Sequence, residues 1–175
     1  YKKKQKVSNV DLYDVASLTK ILVTLPLLME LVDDGVVSLD DRLKTLLPSF
    51  EKSNKGQITL KEMLSHFAQL SPWIPFYNST LDSITKKPNI NFFKSKKSTD
   101  FPIQISENLF LRADFKDTIQ SNILKSELLK KREYRYSDLP YYILKEFIEK
   151  YYKLPLNELI CQNTSSGYGI LVIIL

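Results

Sequence analysis

Tyr13-Asp14-Val15-Ala16-Ser17-Leu18-Thr19-Lys20 opens the most apolar helical stretch of the chain, and its reading decides the fold. A serine three residues before a lysine at a helix start puts hydroxyl and amine on one face, about a turn apart. There the amine can take the hydroxyl proton, which makes a nucleophile with its base. The same spacing recurs at Ser49/Lys52 and Ser83/Lys86, so spacing alone does not choose. Context does: Ser49 follows Pro48, Ser83 lies in a polar stretch running into Pro88, and neither begins an apolar helix. After Ser17, by contrast, Leu18, Ile21, Leu22, Leu25, Leu28, Met29 and Val32 recur at i, i+3, i+4 and i+7. That period predicts a helix from about Ser17 to Asp34 with these residues buried. Gly35 after Asp33-Asp34 predicts its C-terminal cap, and Pro26 predicts a local kink. Ser17 then sits where unpaired N–H groups and the helix dipole favour developing negative charge.

The bulk properties bound the rest. A chain of 175 residues that is 43% hydrophobic can bury a core and suits one domain or most of a larger one. Its net charge of +5 is spread over Lys2-Lys3-Lys4, Lys94 to Lys97 and Lys130-Lys131-Arg132, with acids and uncharged residues between. No long basic stripe results, which argues for a solvated surface and against nucleic-acid binding. Cys161 is the single cysteine and His66 the single histidine, so an internal disulfide is excluded, a zinc centre would need several carboxylates, and no cofactor is expected. No apolar run approaches the ~20 residues of a membrane-spanning helix. The chain starts without a methionine, so the lack of a targeting signal at Tyr1 carries no weight.

Along the chain, a charged lead-in offers strand positions at Val7, Val10 and Leu12. Beyond the first helix, Ser38 and Asp41 resemble a helix start, with Leu43, Leu46 and Leu47 as a short apolar face ended by Pro48. A loop rich in Ser, Asn, Lys and Gly follows. Thr59-Leu60-Lys61-Glu62 is a capping box for a helix whose Leu60, Met63, Leu64 and Phe67 face inward. Two prolines make Ser71-Pro72-Trp73-Ile74-Pro75-Phe76-Tyr77 an aromatic loop. Trp73, Phe76 and Tyr77 could equally line a substrate cleft or pack in the core. Residues 78–117 read mostly as loop with a short strand near Leu109 to Arg112, before a helix from about Ile119 to Lys131. The turn Tyr134-Arg135-Tyr136-Ser137-Asp138 leads into an amphipathic helix through Tyr141, Leu144, Phe147, Ile148 and Tyr151. His66 reads as a structural hydrogen-bonding residue.

Taken in order, the Ser17 stretch, Gly35, Leu39-Asp40-Asp41, Leu47-Pro48, Ile58 to His66 and Tyr136-Ser137-Asp138 resemble the β-lactamase-related serine hydrolases. This class C-like group includes D-alanyl-D-alanine carboxypeptidases and esterases. Trp73-Ile74-Pro75-Phe76-Tyr77 is similar to a stretch of the serine hydrolase module fused to bacterial β-N-acetylhexosaminidases. The resemblance implies an α+β fold and acyl-enzyme chemistry on an amide or ester, with a peptidoglycan-derived peptide or other small molecule as substrate. It implies an extracytoplasmic place in a bacterium and a glycoside hydrolase domain fused in the parent protein. By position, Ser17 matches the acylated nucleophile, Lys20 the activating amine and Tyr136 the tyrosine of a Tyr-x-Asn motif. Asp138 matches that motif's asparagine, and Asp138, Trp73 and Tyr77 are the candidate substrate-binding residues.

Asp138 is a departure, because an ionised carboxylate only accepts where an amide can donate. It would hold Lys20 protonated, against use of that amine as base; whether Lys20 or Tyr136 is the base stays open at the level of sequence. The family's third motif, Lys-Thr-Gly or His-x-Gly on a strand lining the site, occurs nowhere in the chain, and most of the antiparallel sheet is missing with it. The expected division is therefore a partial hydrolase domain over residues 1–160 and a non-family tail over 161–175, produced by truncation or frameshift. Losing one oxyanion donor costs about 3 kcal/mol of transition-state stabilisation. The alternative function is a non-catalytic cell-wall-binding or accessory module.

Overall fold

The computed structural model describes residues 6–9, 11 and 13–163. Val10, Leu12 and the tail beyond 163 lie outside the described residues, and Val7 is exposed.

Helical backbone begins at Leu18, runs as a π-helical turn over Lys20–Thr24, and continues as α1 over Leu25–Asp33. Pro26 lies within this continuous helical run, where it cannot donate, and the wider ladder just before it closes with the Leu25 N–H on the Lys20 carbonyl. Gly35 adopts φ 69° at the other end. Its N–H bonds the Val32 carbonyl at 3.1 Å, and the Val36 N–H bonds the Leu31 carbonyl at 2.9 Å, the paired bonds of a Schellman cap.

The buried face of this helix is only partly the one that periodicity selects, since of the expected stripe Leu28 is buried as foreseen and most of the others are not. Val23, Thr24, Leu27, Leu28 and Leu31 are buried, whereas Leu18, Ile21, Leu22, Met29 and Val32 are 37–61% exposed. The segment is apolar nearly all round and so offers two stripes. The stripe carrying Leu27, Leu28 and Leu31 belongs to the core cluster with helix α5, Leu139–Tyr152. Leu139, Pro140, Ile143, Leu144, Phe147 and Ile148 are the buried side of α5.

Between them come α2 at Leu43–Leu46 and α3 at Leu60–Leu64. The capping box is formed: the Thr59 hydroxyl accepts from the Glu62 N–H at 3.2 Å, and the Glu62 carboxylate accepts from the Thr59 N–H at 2.9 Å. Thr59→Ala should cost about 1 kcal/mol in denaturant unfolding; an unchanged midpoint would show the cap to be idle. Helix α3 stops at Leu64, and His66 and Gln69 take left-handed φ of 61° and 54°. Phe67, expected inward, is therefore carried to the surface.

A three-stranded antiparallel sheet in the order β1-β3-β2 joins Phe93–Lys94, Leu109–Leu111 and Ile103–Ser106. Only the central strand was expected. Phe92 stacks edge-on against Phe115 at 5.8 Å, joining this sheet to α4, Phe115–Lys125. That helix begins and ends earlier than the apolar period suggests, with Ser126 extended. Lys55, fully buried, donates to the Leu124 and Ser126 carbonyls at that end, although it comes from a loop that reads as solvated. Helix α6, Leu156–Asn163, adds Leu156 and Leu159 to the core. Among the described residues no helix is long and apolar enough to cross a membrane.

Candidate active site

Ser17 stands exposed at the mouth of the α1 helix. The turn before it puts Ala16 at φ 44°, its N–H held by the Asp14 carboxylate at 2.8 Å. A left-handed alanine costs roughly 1–2 kcal/mol, and the tight turn that accepts it delivers the serine to the surface. The Lys20 N–H then bonds the Ser17 carbonyl at 3.1 Å, so both side chains leave the same turn.

Lys20 Nζ donates to Ser17 Oγ at 2.9 Å and to Asp138 Oδ1 at 2.7 Å. The lysine side chain is 14% exposed and the aspartate 44%. The same nitrogen lies 5.2 Å from the Tyr136 ring centre and 5.4 Å from that of Tyr141, within cation–π range. Burial is the largest single influence on Lys20 and favours the neutral amine. Hydrogen bonds to Asp138 and Tyr136, with the charges of both, together outweigh it, and Lys20 stays protonated above the usual lysine range. Tyr136 moves the other way. Hydrogen bonding with Ser17, then with Lys20, and the Lys20 charge bring its phenol below the ordinary tyrosine value against burial and the Asp138 charge.

The segment bearing Tyr136 and Asp138 is fastened to the turn after α3 and to the aromatic loop. The Arg135 N–H bonds the His66 carbonyl at 2.9 Å, the Ser137 N–H bonds His66 Nδ1 at 3.3 Å, and the Asp138 N–H bonds the Pro72 carbonyl at 2.8 Å. The His66 ring stacks on Tyr136 at 4.6 Å. Burial and the Lys20 charge hold this imidazole below its ordinary value, against the pull of Asp138, which suits a neutral Nδ1 acceptor. Ser137 is 1% exposed; its hydroxyl donates to the Ser71 carbonyl at 2.6 Å and accepts from the Leu139 N–H at 3.2 Å. Read from sequence, Ser137-Asp138-Leu139 fails as a Ser-Asp-Asn motif because leucine stands where an amide is required, which leaves Ser137 without a role; the signal for its structural one is a small hydroxyl residue ahead of Leu139-Pro140. Ser137→Ala orphans a buried carbonyl and a helix N–H and should destabilise by about 1–3 kcal/mol in thermal unfolding; no loss would mean the stitch is dispensable.

The structure thus brings Ser17, Lys20, Tyr136 and Asp138 together. Trp73 and Tyr77 are each 56% exposed, and no ring contact or hydrogen bond ties them to this cluster among the described residues. Phe76, the third aromatic of that loop, is buried against Tyr142 at 5.4 Å. Neither Ser49 and Lys52 nor Ser83 and Lys86 share a hydrogen bond among the described residues. No grouping of three His, Cys, Asp or Glu side chains able to hold a metal occurs among the described residues.

A family model described as Beta-lactamase matches residues 1–166. Two solved structures are similar over most of the chain. A class C beta lactamase from Rhodobacter sphaeroides matches at 17% identity and TM-score 0.55, over 85% of this chain and 32% of its own. The octameric penicillin-binding protein homologue from Pyrococcus abyssi matches at 20% identity and TM-score 0.55, over 86% and 30%. The chain therefore spans about a third of the length of these structures. No curated protein matches it.

Proposed function

From the premise that the chain belongs to the beta-lactamase family, we propose that it carries the nucleophile-bearing part of a serine hydrolase acting on an amide or ester through an acyl-enzyme. The observation that carries this reading is the 2.9 Å hydrogen bond from Lys20 Nζ to an exposed Ser17 Oγ, with the Tyr136 ring centre 5.2 Å from the same nitrogen. Oγ attacks the carbonyl carbon as its proton passes to a neighbouring base, and the carbonyl electron pair moves onto oxygen. Collapse of the adduct expels the leaving group, which takes that proton, and water then releases the acyl group by the same route. The resemblance of the ordered motifs implies a cell-wall peptide as substrate, and an extracytoplasmic location goes with such a substrate. Trp73, Tyr77 and Asp138 would flank it.

The test is intact-mass measurement after exposure to a fluorophosphonate or a penicillin, followed by peptide mapping. One adduct on Ser17 supports the reading; no adduct, or one on another residue, overturns it. The carboxylate on Lys20 favours a second reading, a binding module that retains the fold without turnover. Retained cell-wall-peptide binding with Ser17→Ala turnover equal to wild type would select it.

A further inference from the structure

We propose that the open cleft beside the small sheet is a binding site for a short zwitterionic peptide, its C-terminal carboxylate on Arg112 and Lys94 and its ammonium on Asp100. The cleft holds about 450 Å³, within the ~300–1,000 Å³ usual for ligand sites. None of the residues lining it belongs to the Ser17 cluster. Three segments build it. Strand β1 pairs with β3 through Phe93 opposite Leu111 and Lys94 opposite Phe110. Just past β3, the Arg112 N–H bonds the Phe92 carbonyl at 3.0 Å and the Ala113 N–H bonds the Asp100 carbonyl at 2.9 Å. The end of the central strand thereby draws the chain before β1 and the chain before β2 to its two sides, and the Phe92–Phe115 contact fixes this corner on α4.

Arg112 is partly buried and held on three sides: Nε donates to Asp114 Oδ1, Nη1 donates to the Asn91 carbonyl at 3.2 Å, and the guanidinium carbon lies 5.0 Å from the Phe92 ring centre. A guanidinium locked in this way presents its remaining donors in a fixed fork. Its Nη2 has no protein partner among the described residues, and since no buried side-chain nitrogen or oxygen there lacks one, Nη2 is open to solvent. Lys94 is the lysine of the Lys94 to Lys97 run that lines the cleft. Its ammonium lies 5.7 Å from the Phe101 ring centre and pairs with no carboxylate among the described residues. The Asp100 carboxylate has no partner among them either. Asp114 neutralises Arg112, so the charges left over are one cation and one anion, which complement a zwitterion rather than a polyanion or a metal ion. Ile90 and Phe101 supply an apolar wall, which suits an aliphatic side chain on the peptide.

The experiment is titration of the folded chain with the dipeptide alanyl-leucine, read by calorimetry and by backbone amide chemical shifts, beside its N-acetylated and C-amidated forms. Binding should saturate, with the largest shifts at residues 90–101 and 112–114, and should weaken by about fivefold or more when either end is capped. Lys94→Gln and Asp100→Asn, both exposed and outside the core, should melt where wild type does and each weaken binding by about threefold or more. Added salt should weaken it as well. The proposal is overturned if millimolar dipeptide does not saturate, if the capped forms bind as well as the free one, or if either variant binds as wild type. A loss on amidation alone would mark a plain carboxylate site and overturn the zwitterion assignment. Shifts centred on Ser17 and Lys20, or weaker binding in Ser17→Ala, would place the peptide at the candidate active site and overturn this one. Absence of a covalent adduct on Ser17 would remove the hydrolase reading and leave this cleft untouched.

Discussion

Ser17→Ala should abolish the covalent adduct and lower any ester or amide turnover by about 10³-fold or more, the scale seen when an activated serine is removed from a working site. The side chain is exposed and packs against nothing in the core, so the variant should melt where wild type does. Ser49→Ala and Ser83→Ala are the matched controls and should label as wild type, since neither serine bonds the lysine three residues on. Full labelling of Ser17→Ala would remove the nucleophile assignment outright.

Leu28→Ala should have the largest effect on stability. Leu28 is 1% exposed, in the helical run that presents Ser17, and truncation leaves a cavity in the buried core cluster. A loss of about 3–5 kcal/mol should follow, or a fall of roughly 6–20 °C in melting temperature for a chain of this size. Met29, its neighbour in sequence, is 61% exposed, and Met29→Ala should change stability by less than about 0.5 kcal/mol. Reversal of that order in calorimetry would mean that Met29 and not Leu28 is the residue buried in the core. Labelling of the folded fraction of Leu28→Ala should match wild type, which separates damage to the fold from damage to the site.

Legibility followed the range of each interaction. The Thr59/Glu62 cap, the Gly35 terminus and the Ser17/Lys20 pair each lie within one helical turn, and local chemistry states them fully. The choice of buried stripe on α1 was not local. Apolar residues surround that helix, and only the partner that packs against it distinguishes Leu27 and Leu31 from Ile21 and Met29. The α4 boundaries depended on a buried lysine reaching in from a loop some seventy residues earlier in the chain. Tyr136 and Asp138 could be connected to Ser17 only through the resemblance of the ordered motifs. What holds them, the left-handed turn at His66 and the buried Ser137 hydroxyl, has no periodic signature.

The ion pair between Lys20 and Asp138 joins residues 118 positions apart. Such a contact carries a high loop-closure cost and forms only after both flanking helices have docked, late in any sequence of folding events. A half-assembled chain could hold Ser17 and Lys20 on a formed helix and still lack Asp138 beside them. Reactivity toward an electrophile would therefore count native molecules and pass over collapsed intermediates, and the chain would be chemically silent until assembly was complete.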